Sequence, residues 1–208
     1  MKRTTFKPGA ILSKRRGLLG ESEAMRLCKG ATAGSLGGLA GSWTMNLFQS
    51  LLAKISARKS ESGRQPEQPE SQQYGKSSHD WPRQQNGPQG DEPATAVLAE
   101  KVSTHLLHRP LTEEEKKIAE PAVHYGYGTL MGAVYGALAE ETPIITACAG
   151  TLYGSILWLV GDEIAVPMLK LSKPSTKTPL PVHVSAWAAH LVYGLTAEGV
   201  RRMVRKAL

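Results

Sequence analysis

Five side chains in this 208-residue chain are of types that could do chemistry together: His124, Asp162, Glu163, His190 and Glu198. A carboxylate beside an imidazole can hold a cation or pass a proton, because histidine titrates near neutrality and a neighbouring acid favours its charged form. Asp162 and Glu163 stand where an uncharged run of seventeen residues, Ile144 to Val160, comes to its end, and Pro167 follows. His183, Trp187, His190, Gly194, Glu198 and Arg201 recur at three and four residues, so they share one helical stripe. His190 is the first expected partner for the acids and His124 the second. On one reading Asp162, Glu163, His190 and Glu198 form a polar cluster that moves protons or binds a cation. On the plainer reading they are interhelical hydrogen bonds that fix packing, or interfacial residues exposed to water.

Other chemistry has no support. Ser155 and Ser185 stand in no Gly-x-Ser-x-Gly elbow. No Gly-Lys-Ser/Thr follows the glycine-rich stretches, so they are not phosphate loops. No His-Glu-x-x-His spacing supports a metal, and Cys28 and Cys148 stand alone. The expectation is no catalytic residue, no metal, no cofactor and no enzyme. The net charge of +7 comes without a basic run interleaved with aromatics, so nucleic acid is not an expected partner.

An insertion estimate limits where the acids can lie. A central Asp costs about 2.5–3.5 kcal/mol, and each Leu, Ile, Val or Phe returns about 0.3–0.6. Ile144, Ile145, Leu152, Ile156, Leu157, Leu159 and Val160 offset roughly one central acid, not two. Asp162 and Glu163 therefore lie near an interface, or one faces the bundle and is paired or protonated.

The elements that must position these groups follow in order. Residues 1–29 are a basic flank whose first acid is Glu21. Gly17-Leu18-Leu19-Gly20 is too short for a signal-peptide core; an organellar transit peptide and a cytoplasmic flank both fit, the flank more plainly. Residues 30–55 are the first apolar helix, uncharged from Gly30 to Ala53, with Gly30, Gly34 and Gly38 at four-residue spacing. Small residues so spaced let helix backbones approach closely in lipid. Residues 56–93 are a disordered polar linker rich in Gln, Pro and Ser. Residues 94–109 form an amphipathic helix with Val97, Leu98, Val102 and Leu106 nearly on one face. Residues 112–208 form a three-helix membrane core. Its first helix opens on a capping box, Thr112 with Glu115, and passes Pro121 as a kink. Gly128, Gly132 and Gly136 repeat the stripe, and a tight turn at Glu140-Glu141-Thr142-Pro143 leads to a second helix bearing Gly150 and Gly154. The third helix runs from Val182 to about Lys206.

A weak repeat joins Tyr135-Gly136-Ala137-Leu138-Ala139-Glu140 to Tyr193-Gly194-Leu195-Thr196-Ala197-Glu198. Repeats occur in transporters, but helices packing by glycine stripes reuse the same few residues. His124-Tyr125-Gly126, Gly132-x-x-Tyr135-Gly136, Trp158-Leu159-Val160-Gly161-Asp162-Glu163 and His190-Leu191-Val192-Tyr193-Gly194 resemble the YagU-like bacterial inner-membrane proteins of unknown function. The resemblance covers His124 to Arg202 and, loosely, the first span. The Gln/Pro linker is not part of that pattern. The resemblance implies an integral inner-membrane protein tied to acid or envelope stress, and it supplies no catalytic residues.

The resulting expectation is an all-α fold, a small helical membrane bundle of about four helices packed through glycine stripes. It would be multi-pass, in the bacterial inner membrane, with the lipid bilayer as its first partner. The exposed small-residue stripes suit a homo-oligomer or another membrane protein. The basic flanks Lys14–Lys29 and Arg201–Lys206 favour both termini in the cytoplasm, whereas Lys54, Arg58, Lys59 and Lys170–Lys177 argue against it, so the positive-inside rule leaves the topology open. The expected role is a structural or interaction protein of the envelope, with a proton or small-solute conduit on Asp162, Glu163 and His190 as the alternative.

Overall fold

The computed structural model describes residues 22–62, 93–172, 176 and 178–208. Residues 1–21 of the basic flank and 63–92 of the expected linker lie outside the described residues. Every regular element among the described residues is helical. Helix α1 is Glu23–Ser62, α2 is Ala94–Leu106 and α3 is Glu113–Glu141. A 3₁₀ turn, Pro143–Gly150, leads into α4, Thr151–Trp158. A π-helical stretch, Leu159–Ala165, joins α4 to the short α5, Val166–Met168. Helix α6 is Leu180–Ala207. The first helix thus outruns the expected 30–55 at both ends.

Local chemistry sets the boundaries of α3. The Thr112 hydroxyl accepts from the Glu115 N–H at 3.3 Å, and the Glu115 carboxylate accepts from the Thr112 N–H at 2.9 Å. Each satisfies an N–H that the first helical turn leaves open. At the far end the Thr142 N–H donates to Leu138 O at 2.7 Å, and Pro143 offers no donor to continue. Pro121 sits inside the helix.

The apolar run from Ile144 does not form one helix. Ala147 is extended (ψ 148°), Cys148 and Ala149 are left-handed (φ 52° and 56°), and Gly150 follows at φ 88°. The break lets Gly150 meet α6: a Cβ there would lie 2.4 Å from Gly194 O. Only glycine accepts that conformation and that contact without penalty.

The long helices touch backbone to backbone. Helices α1 and α3 run antiparallel, and a Cβ on Gly34 would lie 2.1 Å from Gly132 O, one on Gly136 2.0 Å from Gly30 O. Helix α6 lies against α1 where a Cβ on Gly37 would lie 2.5 Å from Ala197 O, and against α4 where one on Gly154 would lie 2.2 Å from His190 O. Tyrosines fill the space between them. Tyr135 stacks on Tyr153 with ring centroids 4.5 Å apart, and Tyr153 and Tyr193 donate to Met131 O (2.7 Å) and Gly128 O (2.6 Å).

The distribution of polarity is inverted. Glu198, Arg201, His190, Ser42 and Ser103 are buried with the glycines and tyrosines. Leu36, Leu39, Trp43, Leu47 and Leu51 of α1 face outward, as do Leu130, Val134 and Leu138 of α3, Ile156, Leu159, Val160 and Ile164 around α4, and Val184 and Leu195 of α6. The start of α1 and the end of α6 share one end of the bundle, where Lys29 Nζ donates to Leu208 O at 2.7 Å. Helix α2 lies at the other end, where Lys101 Nζ donates to Leu169 O at 2.7 Å.

Candidate functional site

The five residues that could do chemistry fall into three places, Glu163 pairing apart from the rest with His183. Glu198 belongs to the end shared by the α1 start and the α6 end. Its side chain is 1% exposed and accepts from Arg201 Nε at 2.7 Å, Arg201 Nη2 at 3.0 Å, Tyr135 Oη at 2.7 Å, and Arg202 Nε. Arg201 also lies over the Tyr135 ring, 5.8 Å from its centroid. Beside it Glu140 accepts from Arg205 Nε at 2.9 Å and stands 3.9 Å from Arg201 Nη1. Arg26 pairs with Glu141 at the rim. Two acids thus meet three arginines and a phenol, a set that satisfies the buried carboxylate and ties α3 to α6.

Asp162, His190 and His124 lie elsewhere, around a cavity of about 180 Å³ in the half of the bundle nearer α2. The π-helical stretch carries Asp162 and Glu163. Its wider turn sends Asp162 toward His190 (Oδ2 to Nδ1 3.7 Å) and Glu163 toward His183 (Oε1 to Nδ1 2.6 Å). Such π turns are frequent at functional sites. His190 Nδ1 donates to Ala186 O at 2.9 Å, since a carbonyl can only accept. His124 Nε2 is buried with no partner among the described residues. The Asp162 side chain keeps 36% of its surface open, and no donor among the described residues reaches its carboxylate within bonding distance. Ser42, Thr95, Tyr127 and Tyr193 add hydroxyls, and most of the remaining wall is apolar.

The structure therefore brings Asp162 to His190, gives Glu163 to His183, and sets Glu198 apart. Tyr135, Glu140 and Arg201 join the Glu198 cluster. Arg201 and Arg202 carry a readable signal, standing three and four residues after Glu198 on one helical face. Tyr127, Ser42 and the α2 residues Ala94, Thr95 and Leu98 complete the cavity and carry no such signal. The glycines Gly30, Gly34, Gly38, Gly128, Gly132 and Gly136 line the α1–α3 contact, and Gly150 and Gly154 the contact with α6. Among the described residues no group of three or more His, Cys, Asp or Glu is placed to hold a metal ion.

A family profile described as a protein of unknown function, DUF1440, matches residues 64–199. The chain belongs to the DUF1440 family. No curated protein and no solved structure matches it. The DUF1440 match begins after α1 and takes in α2 through most of α6, hence the Asp162–His190 pair, His124 and Glu198. Ser42 and Met45, the α1 contribution to the cavity wall, lie outside the matched residues.

Proposed function

We propose that this DUF1440 protein is an integral membrane bundle that holds a small solute in an interior chamber sealed at one end. One observation carries the reading: the charged and polar groups are inside, and the Leu, Ile, Val and Trp side chains are outside. A water-exposed bundle gains nothing from that arrangement, whereas lipid rewards it on every outward face. Pro143–Met168, 26 residues, is long and apolar enough to cross a bilayer by length and composition. Helices α1, α3 and α6 average lower because glycine, alanine and serine line their inner faces, while their outward faces are apolar.

Basic residues mark both ends of the bundle. Arg26, Lys29, Arg201, Arg202, Arg205 and Lys206 gather at the end where Lys29 meets Leu208. Lys54, Arg58, Lys101, Arg109, Lys116, Lys117 and Lys170 lie at the α2 end, so the positive-inside rule favours neither end as the cytoplasmic one. The likeness to YagU-like proteins supports the bacterial inner membrane as the location. The Glu198–Arg201–Glu140 cluster seals the end where Lys29 meets Leu208. Asp162 within 3.7 Å of His190 in a cavity favours solute or proton handling over a purely structural role.

Cysteine accessibility tests this. In a Cys148→Ser background, a membrane-impermeant maleimide should label exposed Cys28, beside Lys29, in either right-side-out or inverted membrane vesicles, while cysteines placed at Leu36, Leu130 and Ile156 stay unlabelled in both until the membrane is dissolved. Rapid labelling of all four positions in intact vesicles would overturn the membrane reading.

A further inference from the structure

Asp162 is the one acid among the described residues that line the chamber. Asp162 offers a carboxylate that no donor among the described residues reaches. His190 turns its Nδ1 proton to Ala186 O and not to Asp162. His124 Nε2 is a buried nitrogen in the same wall with no partner among the described residues. The matching ligand is therefore a donor, and a positively charged one, because no lysine or arginine among the described residues lines the cavity to balance Asp162. The rest of the wall sets the other half of the ligand. Met45, Leu98, Leu157, Val166 and Leu169 present hydrocarbon, so a small hydrated metal cation would find too few oxygens. A volume of about 180 Å³ slightly exceeds a cavity of about 150 Å³ that takes up benzene. The space suits an apolar body of ring size with one charged group attached.

We infer that the chamber between α1, α2, α3, α4 and α6 binds a small amphipathic organic cation, its ammonium or amidinium group on Asp162 and its apolar body against Leu98, Leu157 and Leu169. The inference rests on the chamber being a solute site and adds the ligand's class. Ser42 and Tyr127 offer hydroxyls to its remaining N–H groups, and His190 closes the wall beside Asp162. Ser42 lies on α1 and Leu98 on α2, so a bound ligand would touch both helices.

The test is calorimetric titration of the full-length chain in detergent, with empty-micelle blanks, against three probes of one size: benzylammonium, benzyl alcohol and benzoate. Saturable binding is expected for benzylammonium, about tenfold or more tighter than for the alcohol, with benzoate weakest. Asp162→Asn should bring benzylammonium down to the level of the alcohol, and Ala165→Phe, which fills the chamber, should abolish both. If Asp162→Asn does not fold, the comparison of probes on the unaltered chain decides alone. Equal affinity for benzylammonium and benzyl alcohol, with Ala165→Phe blocking both, would overturn the charge assignment and leave the solute chamber standing. Absence of saturable binding for all three would overturn the charge assignment and the chamber together.

Discussion

Tyr135 donates a 2.7 Å hydrogen bond to Glu198 Oε2, and the two side chains, each almost wholly buried, join α3 to α6 at one end of the bundle. Arg201 completes the unit from above the Tyr135 ring. The contact closes the bundle at the end opposite the chamber. It needs all its members, because each buried charge is tolerable only while its partners are present.

Removing one member should therefore cost far more than a surface pair. Glu198→Ala leaves Arg201 buried without its main acceptor and should destabilise the bundle by about 3–5 kcal/mol. Tyr135→Phe removes one hydrogen bond to a charged group and should cost about 1.5–3 kcal/mol. Thermal unfolding in detergent would rank the two. Equal, small effects would show that the cluster is open to water.

The glycines divide into those that must be glycine and those that need not be. Gly132→Leu drives a side chain into Gly34 O and Gly38, where even a Cβ would sit at 2.3 and 2.6 Å, and should prevent α1 from seating on α3. Gly126 and Gly199 would meet nothing within 4 Å, so alanine there should stabilise by up to about 1 kcal/mol through helix propensity. Protease resistance of the three variants checks the contrast.

Ala149 holds a left-handed conformation, φ 56°, that side chains with a Cβ adopt at a penalty of about 1–2 kcal/mol. Ala149→Gly removes that penalty and adds chain entropy worth roughly 0.5–1 kcal/mol, for a net gain of about 0.5–1. A branched residue, Ala149→Val, should lose stability. Both are read from melting temperature.

The corner between α2 and α3 should respond to acid. Glu115 is held down to about 2 by its hydrogen bonds from Arg109 and from the Thr112 backbone. A carboxylate depressed in the folded state contributes stability above its ordinary value near 4.5, and loses that contribution as pH falls toward 2. The pair is exposed, so its contribution should also weaken with salt. Hydrogen exchange of the first turn of α3 should be slower than in Glu115→Gln at pH 6, and the two should converge near pH 2.

Sequence reading went furthest where the signal is local or periodic. The Thr112–Glu115 capping box is four consecutive residues, and the glycine register is a fixed spacing, so both were legible. The break at 147–150 was not, because Cys148 and Ala149 carry none of the residue types that usually mark a left-handed turn. A helical stripe reports a face and not a depth: His190 and Glu198 share one, yet eight residues set them about 12 Å apart along α6. That distance places Glu198 with Tyr135 and Arg201 and leaves His190 with Asp162. The π turn that divides Asp162 from Glu163 has no pattern of its own in the chain. Neither does the approach of α2 to the cavity, a long-range contact that periodicity does not encode.

The claim on which the rest depends is that lipid covers the outward Leu, Ile, Val and Trp side chains. Alkaline carbonate extraction of membranes from cells making the full-length chain tests it most directly. A membrane bundle should stay in the membrane pellet and leave it only in detergent. Recovery of folded protein in the carbonate supernatant would contradict it, and the inverted polarity would then need a protein partner in place of the bilayer.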